Sequence, residues 1–109
     1  MVERLRTTAA WQASYTPALS VVRGEALTSH QTDPANPGWR WTTNAAGLGG
    51  WLPEGLVQGG CAAEDFDSAE LTVEAGVQVT RLQRRNGWSL CETLDGARGW
   101  LPDGVLAVS

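Results

Sequence analysis

Charge is sparse in this chain, and a basic surface is missing. Of 109 residues, 8 are Lys or Arg and 12 are Asp or Glu, for a net charge of -4. The densest basic run is Arg81, Arg84 and Arg85. Nucleic-acid binders carry a basic patch that displaces counterions from phosphate, so neither nucleic acid nor a membrane surface is expected as a partner. Long apolar runs are missing too. The opening MVERLRTTAAWQ has charges but no apolar signal-peptide core, and no stretch approaches a membrane span. A cytoplasmic protein is the expectation.

Chemistry-bearing residues are equally scarce. Cys61 and Cys91 form no CxxC, and the single histidine, His30, sits in a loop near Asp33 with no nucleophile at a credible elbow. A zinc site is not expected from this spacing, and a lone loop histidine reads as solvated. No enzyme, metal or cofactor is expected, and both thiols are expected to be buried and reduced. The acids Glu64, Asp65, Asp67 and Glu70 lack calcium-loop spacing, and no glycine run has the spacing of a phosphate loop.

What the chain has is repetition. Residues 38–57, GWRWTTNAAGLGGWLPEGLV, align without a gap on residues 87–106, GWSLCETLDGARGWLPDGVL. The identities include Gly38/Gly87, Trp39/Trp88 and the whole Gly-Trp-Leu-Pro of 50–53 and 99–102. Upstream, LSVVRGEAL (19–27) aligns with LTVEAGVQV (71–79), and SYT (14–16) sits against DFD (65–67). Repetition on this scale speaks to fold. It predicts two domains, 1–58 and 61–109, joined at 58–60.

Each copy reads as short strands. Apolar and β-branched residues alternate between Gly, Pro, Asn and Asp clusters, and no window sustains a helical period. TNAAG (43–47) and TLDG (93–96) read as hairpin turns. The expected core is Leu19, Val21, Leu27, Thr42, Leu52 and Val57 in repeat 1. In repeat 2 it is Leu71, Val73, Val79, Cys91, Leu101 and Leu106. Strand alternation then turns Trp100 and Pro102 outward beside an inward Leu101. A closed barrel suits such strands because it removes exposed edges.

The order of these motifs resembles the Src-homology-3 family. AAEDF (62–66) is similar to the family's opening strand, AELTVEAG (69–76) to its diverging turn, GWSLC (87–91) to its Trp-Trp strand and GWLPDGVL (99–106) to its ending. The resemblance implies an all-β protein of two tandem, five-stranded barrels, each with one 3₁₀ turn. It also implies a monomeric, non-enzymatic module that binds a protein or peptide partner, proline-containing and basic, on an aromatic groove.

Position by position, the implied groove of repeat 2 holds Phe66, Trp88, Trp100 and Pro102, with Glu70 as the acid that pairs with a basic ligand residue. Repeat 1 offers Tyr15, Trp39, Trp51 and Pro53, with Ala18 in place of the acid. Parts of the family groove are absent: Glu64 and Ala13 replace its first tyrosine, and Gly104-Val105 and Gly55-Leu56 replace its Asn-Tyr. The overhanging loop is a few residues short in both copies. Trp41, two residues after Trp39, suits either ligand stacking or burial between repeats, and Trp11 suits covering the same surface. Two other readings stay open: an assembly domain whose tryptophans pack internally, and an exported cell-wall glycan binder.

Overall fold

The computed structural model describes residues 3–108, which are all-β with one 3₁₀ turn and no α-helix. In chain order the strands begin with β1 (Glu3–Thr7), β2 (Ser20–Val21), β3 (Leu27–Thr32), β4 (Trp39–Asn44), β5 (Gly49–Pro53) and β6 (Val57–Gln58). They continue with β7 (Cys61–Ala62), β8 (Phe66–Asp67), β9 (Gln78–Arg85), β10 (Trp88–Thr93) and β11 (Arg98–Pro102). A 3₁₀ turn (Asp103–Val105) and β12 (Leu106–Val108) close the chain.

Residues 3–14 and 69–108 form one compact unit, and residues 15–68 form another. The terminal unit, named for its origin in both ends of the chain, carries a five-stranded sheet in the order β11-β10-β9-β1-β12. Alternate side chains of a strand face opposite ways, which in ERLRT sends Leu5 and Thr7 inward, each 2 % exposed. Leu5 stands opposite Val79 on one side and Val108 on the other. Leu5 packs with Leu71, Val73, Val79, Cys91 and Leu101. The Thr7 hydroxyl donates to the Glu74 carbonyl at 2.7 Å and accepts from Val77 N–H at 2.9 Å, so its burial leaves nothing unpaired. At the strand's start, Arg81 donates to Glu3 at 2.6 Å.

The central unit holds β3-β4-β5 as one sheet and two small pairs, β2-β8 and β6-β7. None of the sheets in either unit closes on itself. Leu19, Val21, Leu27, Thr42 and Leu52 are buried, as the repeat predicts. Val57 and Leu106 are only half-buried, while Leu56, in the turn after Pro53, is buried instead. Both hairpin turns form: Asn44 Oδ1 accepts from Ala46 and Leu48 N–H, and Thr93 Oγ1 accepts from Ala97 N–H. The 3₁₀ turn is present after Pro102 but has no counterpart after Pro53.

The units are therefore not the sequential halves 1–58 and 61–109. In the terminal unit Arg6 pairs with Gln78, Thr7 with Leu106 and Trp11 with Val73. In the central unit the equivalent places go to Cys61 with Ala26, Ala62 with Val57 and Phe66 with Val21. Each body takes the opening segment that belongs, by repeat order, to the other. The equivalent of Phe66 is thus Trp11, not Tyr15.

The link after Phe66 explains why. Had Phe66 paired with Val73 of its own copy, Ser68 would face Leu71 and leave Ala69-Glu70 as a two-residue hairpin turn. Such turns call for Gly or Asn, which tolerate positive φ. Here those two residues run extended beside β11: Trp100 N–H donates to the Ala69 carbonyl at 2.9 Å, and Leu71 N–H donates to the Trp100 carbonyl at 3.2 Å. A short hinge under such strain favours strand exchange.

The repeated Gly-Trp-Leu-Pro gains its physical reason at the same place. A Cβ on Gly99 would stand 2.7 Å from the Leu71 backbone nitrogen, and one on Gly50 would stand 2.8 Å from Leu19 Cβ. Each glycine lets the segment before the buried leucine lie directly on the strand.

Candidate functional site

Three aromatic side chains of the central unit form a half-buried cluster. Trp41 on β4 stands opposite Trp51 on β5, with ring centroids 5.2 Å apart at 69°. Tyr15 meets Trp41 at 5.5 Å and 76°. These are edge-to-face contacts, the arrangement that ring quadrupoles favour. The Tyr15 hydroxyl donates to the Ser68 carbonyl at 3.2 Å and accepts from Trp51 N–H at 3.1 Å, which fixes its ring. Trp41 lies across Gly49: a Cβ there would come within 2.2 Å of the indole. Trp41 lies outside the groove positions that the family resemblance implies. Its signal was its place two residues beyond Trp39.

The remaining repeat 1 positions are withdrawn from solvent. Trp39 is 5 % exposed and packs on Phe66 at 6.2 Å, and Pro53, opposite Trp39 in the ladder, is buried. Tyr15 and Trp51 are thus brought together with Trp41, while Trp39 and Pro53 belong to the interior.

Repeat 2's expected groove is not assembled. Phe66 belongs to the central unit, and the ring beside Trp88 is Trp11, at 5.6 Å and 82°. Trp100, expected to face outward, is 3 % exposed, because residues 69–71 run alongside it and cover β11. Pro102 is half-buried opposite Trp88. Glu70 does not stand free for a basic ligand: its Oε1 accepts from the Trp11 indole N–H at 3.0 Å, from Ser14 N–H at 3.0 Å and from the Ser14 hydroxyl at 2.9 Å. Neither Trp11 nor Ser14 was recognisable as its partner while repeat 2 was read as self-contained.

The polar groups elsewhere are committed to structure. Ser89, fully buried, donates to Asp103 at 2.6 Å and accepts from Arg81 Nε at 2.8 Å, and Arg84 donates to Asp103 at 2.7 Å. His30 shares a hydrogen bond of 2.9 Å with the Thr43 hydroxyl. Burial raises the Cys91 thiol to about 11, with the Arg81 charge opposing and the Asp103 charge adding to the shift. Cys61, expected to be buried, is half-exposed because it lies in the two-residue strand β7. Among the described residues no group of His, Cys, Asp or Glu could hold a metal ion, and no helix is long and apolar enough to cross a membrane.

No protein-family model, curated protein or solved structure matches the chain.

Proposed function

We propose that this chain is a non-enzymatic protein-interaction module, built as two Src-homology-3-like barrels, that binds an extended proline-containing peptide on Tyr15, Trp41 and Trp51. The observation carrying this reading is the grouping of three half-buried aromatic rings, held edge to face and fixed by Tyr15 hydrogen bonds. Such a surface suits a polyproline II ligand, whose flat apolar faces are presented at low entropic cost. Two cross-strand tryptophans on neighbouring strands, with Trp41 packed on Gly49, supply the rigid platform that this kind of ligand needs.

Ligand charge acts here through the field of the whole chain rather than through a clamp. Net charge of -4 steers cationic peptides toward the surface, while Glu70 is occupied by Trp11 and Ser14. Affinity in the tens of micromolar or weaker is expected of so small a platform.

Titrating the full chain with a proline-rich peptide, followed by amide and indole chemical shifts, tests the proposal. The Trp41 and Trp51 indole protons should shift together. Shifts confined to Trp88 and Pro102, or none at millimolar peptide, would overturn it.

A second reading, an assembly role, rests on the burial of Trp39 and Trp100 at 5 % and 3 % exposure. These two cannot stack on a ligand as they stand, and they serve cohesion under either reading.

A further inference from the structure

The two opening segments carry different aromatics at one shared place, and the two bodies differ at the position that serves it. Trp11 pairs with Val73 and Phe66 with Val21, and these are equivalent positions of the two units. Immediately before the buried Leu71 stands Glu70, and immediately before the buried Leu19 stands Ala18. Trp11 has an indole N–H, which loses water on packing and needs an acceptor; Glu70 Oε1 supplies one at 3.0 Å. Phe66 has no polar side-chain atom, and Ala18 offers no acceptor. The difference extends three residues on. Ser14 adds its N–H and its hydroxyl to the same carboxylate oxygen, whereas the residue at that spacing after Phe66 is Ala69, which has no hydroxyl.

We infer that Glu70 and Ala18 are selectivity residues of two strand-binding sites within this chain. The body of residues 69–108 accepts a strand of the form Trp-x-x-Ser, and the body of residues 15–58 accepts one that carries Phe at the place of Trp. The short link after Phe66 separates each opening segment from its own body. The acid and the alanine then match each segment to the body that it completes. A Trp-bearing strand placed on residues 15–58 would bring an indole N–H to a site where Ala18 replaces the acceptor Glu70. A Phe-bearing strand placed on residues 69–108 would leave the Glu70 carboxylate without two of its three donors. Loss of the part-buried indole–carboxylate hydrogen bond costs more than a neutral change of ring.

The site for the Trp-bearing strand is further built by the ladder to its two neighbours. β1 lies between β9 and β12, and Glu3 is held by Arg81 at its far end. The recognised strand is therefore Leu-x-Thr-x-x-x-Trp-x-x-Ser, with Leu5 and Thr7 entering the core and Trp11 and Ser14 read by Glu70.

The test is a pair of mutant cycles in the full chain, read by denaturant unfolding and by hydrogen exchange of the indole protons. Glu70→Ala should speed exchange of the Trp11 indole proton roughly tenfold relative to the Trp88 indole, as expected for a lost charge-assisted hydrogen bond. Trp11→Phe combined with Glu70→Ala, which copies the pairing of the other unit, should cost no more than the larger single change. In the other unit Phe66→Trp should lower the unfolding midpoint, and adding Ala18→Glu should restore at least half of the loss. An additive Trp11/Glu70 cycle would overturn the inference, as would a failure of Ala18→Glu to rescue Phe66→Trp. Should Phe66→Trp fail to fold alone, recovery of folding by Ala18→Glu supports the inference, and the Trp11/Glu70 cycle decides it if neither variant folds.

Discussion

Phe66 packs on Trp39, 6.2 Å between ring centroids, although by repeat order its groove partner is Trp88. Trp88 is met instead by Trp11, from a segment 77 positions upstream in the chain, at 5.6 Å. The same aromatic contact is thus made twice, each time across the repeat boundary. Phe66→Ala should consequently destabilise residues 15–68 by on the order of 3 kcal/mol, as for a large core truncation. Amide exchange in that unit should report the loss, and the Trp88 indole should be largely unaffected. Broad loss of protection around Trp88 would contradict the exchange.

Removing residues 1–14 tests it from the other end. The deletion takes β1 from between β9 and β12, along with Leu5 and the Trp11 ring. Amides of residues 69–108 should lose dispersion and protection in two-dimensional spectra, while those of 15–68 keep both. If residues 1–14 completed repeat 1 instead, the pattern would reverse.

Gly99→Ala should destabilise by on the order of 2 kcal/mol, because the added Cβ would lie 2.7 Å from a backbone nitrogen that cannot rotate away. Gly104→Ala, three residues past the strand's buried leucine, has nothing within 4 Å to meet and serves as the control. Thermal unfolding of the two variants should separate them clearly; equal midpoints would discount close approach as the reason for the repeated glycine.

Trp41→Ala separates binding from cohesion. Because Trp41 is half-buried, we expect a loss of on the order of 1–2 kcal/mol, below the ~3 kcal/mol of a fully buried tryptophan. Peptide-induced shifts at Trp51 should vanish in the same variant. Retained peptide binding would remove Trp41 from the platform.

Cys91 should resist alkylation at neutral pH under native conditions, whereas Cys61, half-exposed, reacts. The sign of the pH effect follows from the raised thiol at about 11. The folded chain holds that proton where an unfolded cysteine would release it. This contribution to stability is complete below the ordinary thiol value of 9.0 and is lost as pH rises through about 11. Its size is on the order of 3 kcal/mol by linkage. Cys91→Ser should flatten the decline in unfolding midpoint across that alkaline range; an unchanged slope would assign the decline to other groups.

The strands, their turns and most of the core were legible in the sequence for local reasons. Alternation placed Leu19, Val21, Leu71 and Val79 inside, and Asn44 and Thr93 mark turns because their side chains bond the backbone a few residues on. The repeat also indicated two bodies, though not their bounds, since near-identical Gly-Trp-Leu-Pro segments solve the same close-packing problem. What only the tertiary structure decided is which opening segment completes which body. Two copies of one unit offer nearly the same apolar slots, so alternation cannot distinguish Trp11 from Phe66 as the partner of either. The choice lies in long-range terms: a link after Phe66 whose turn positions, Ala69 and Glu70, lack the Gly or Asn of a tight hairpin, and a carboxylate, Glu70, that finds its donors in Trp11 and Ser14. The burial of Trp100 was settled at the same level, because it depends on residues 69–71 lying along β11 rather than turning away from it.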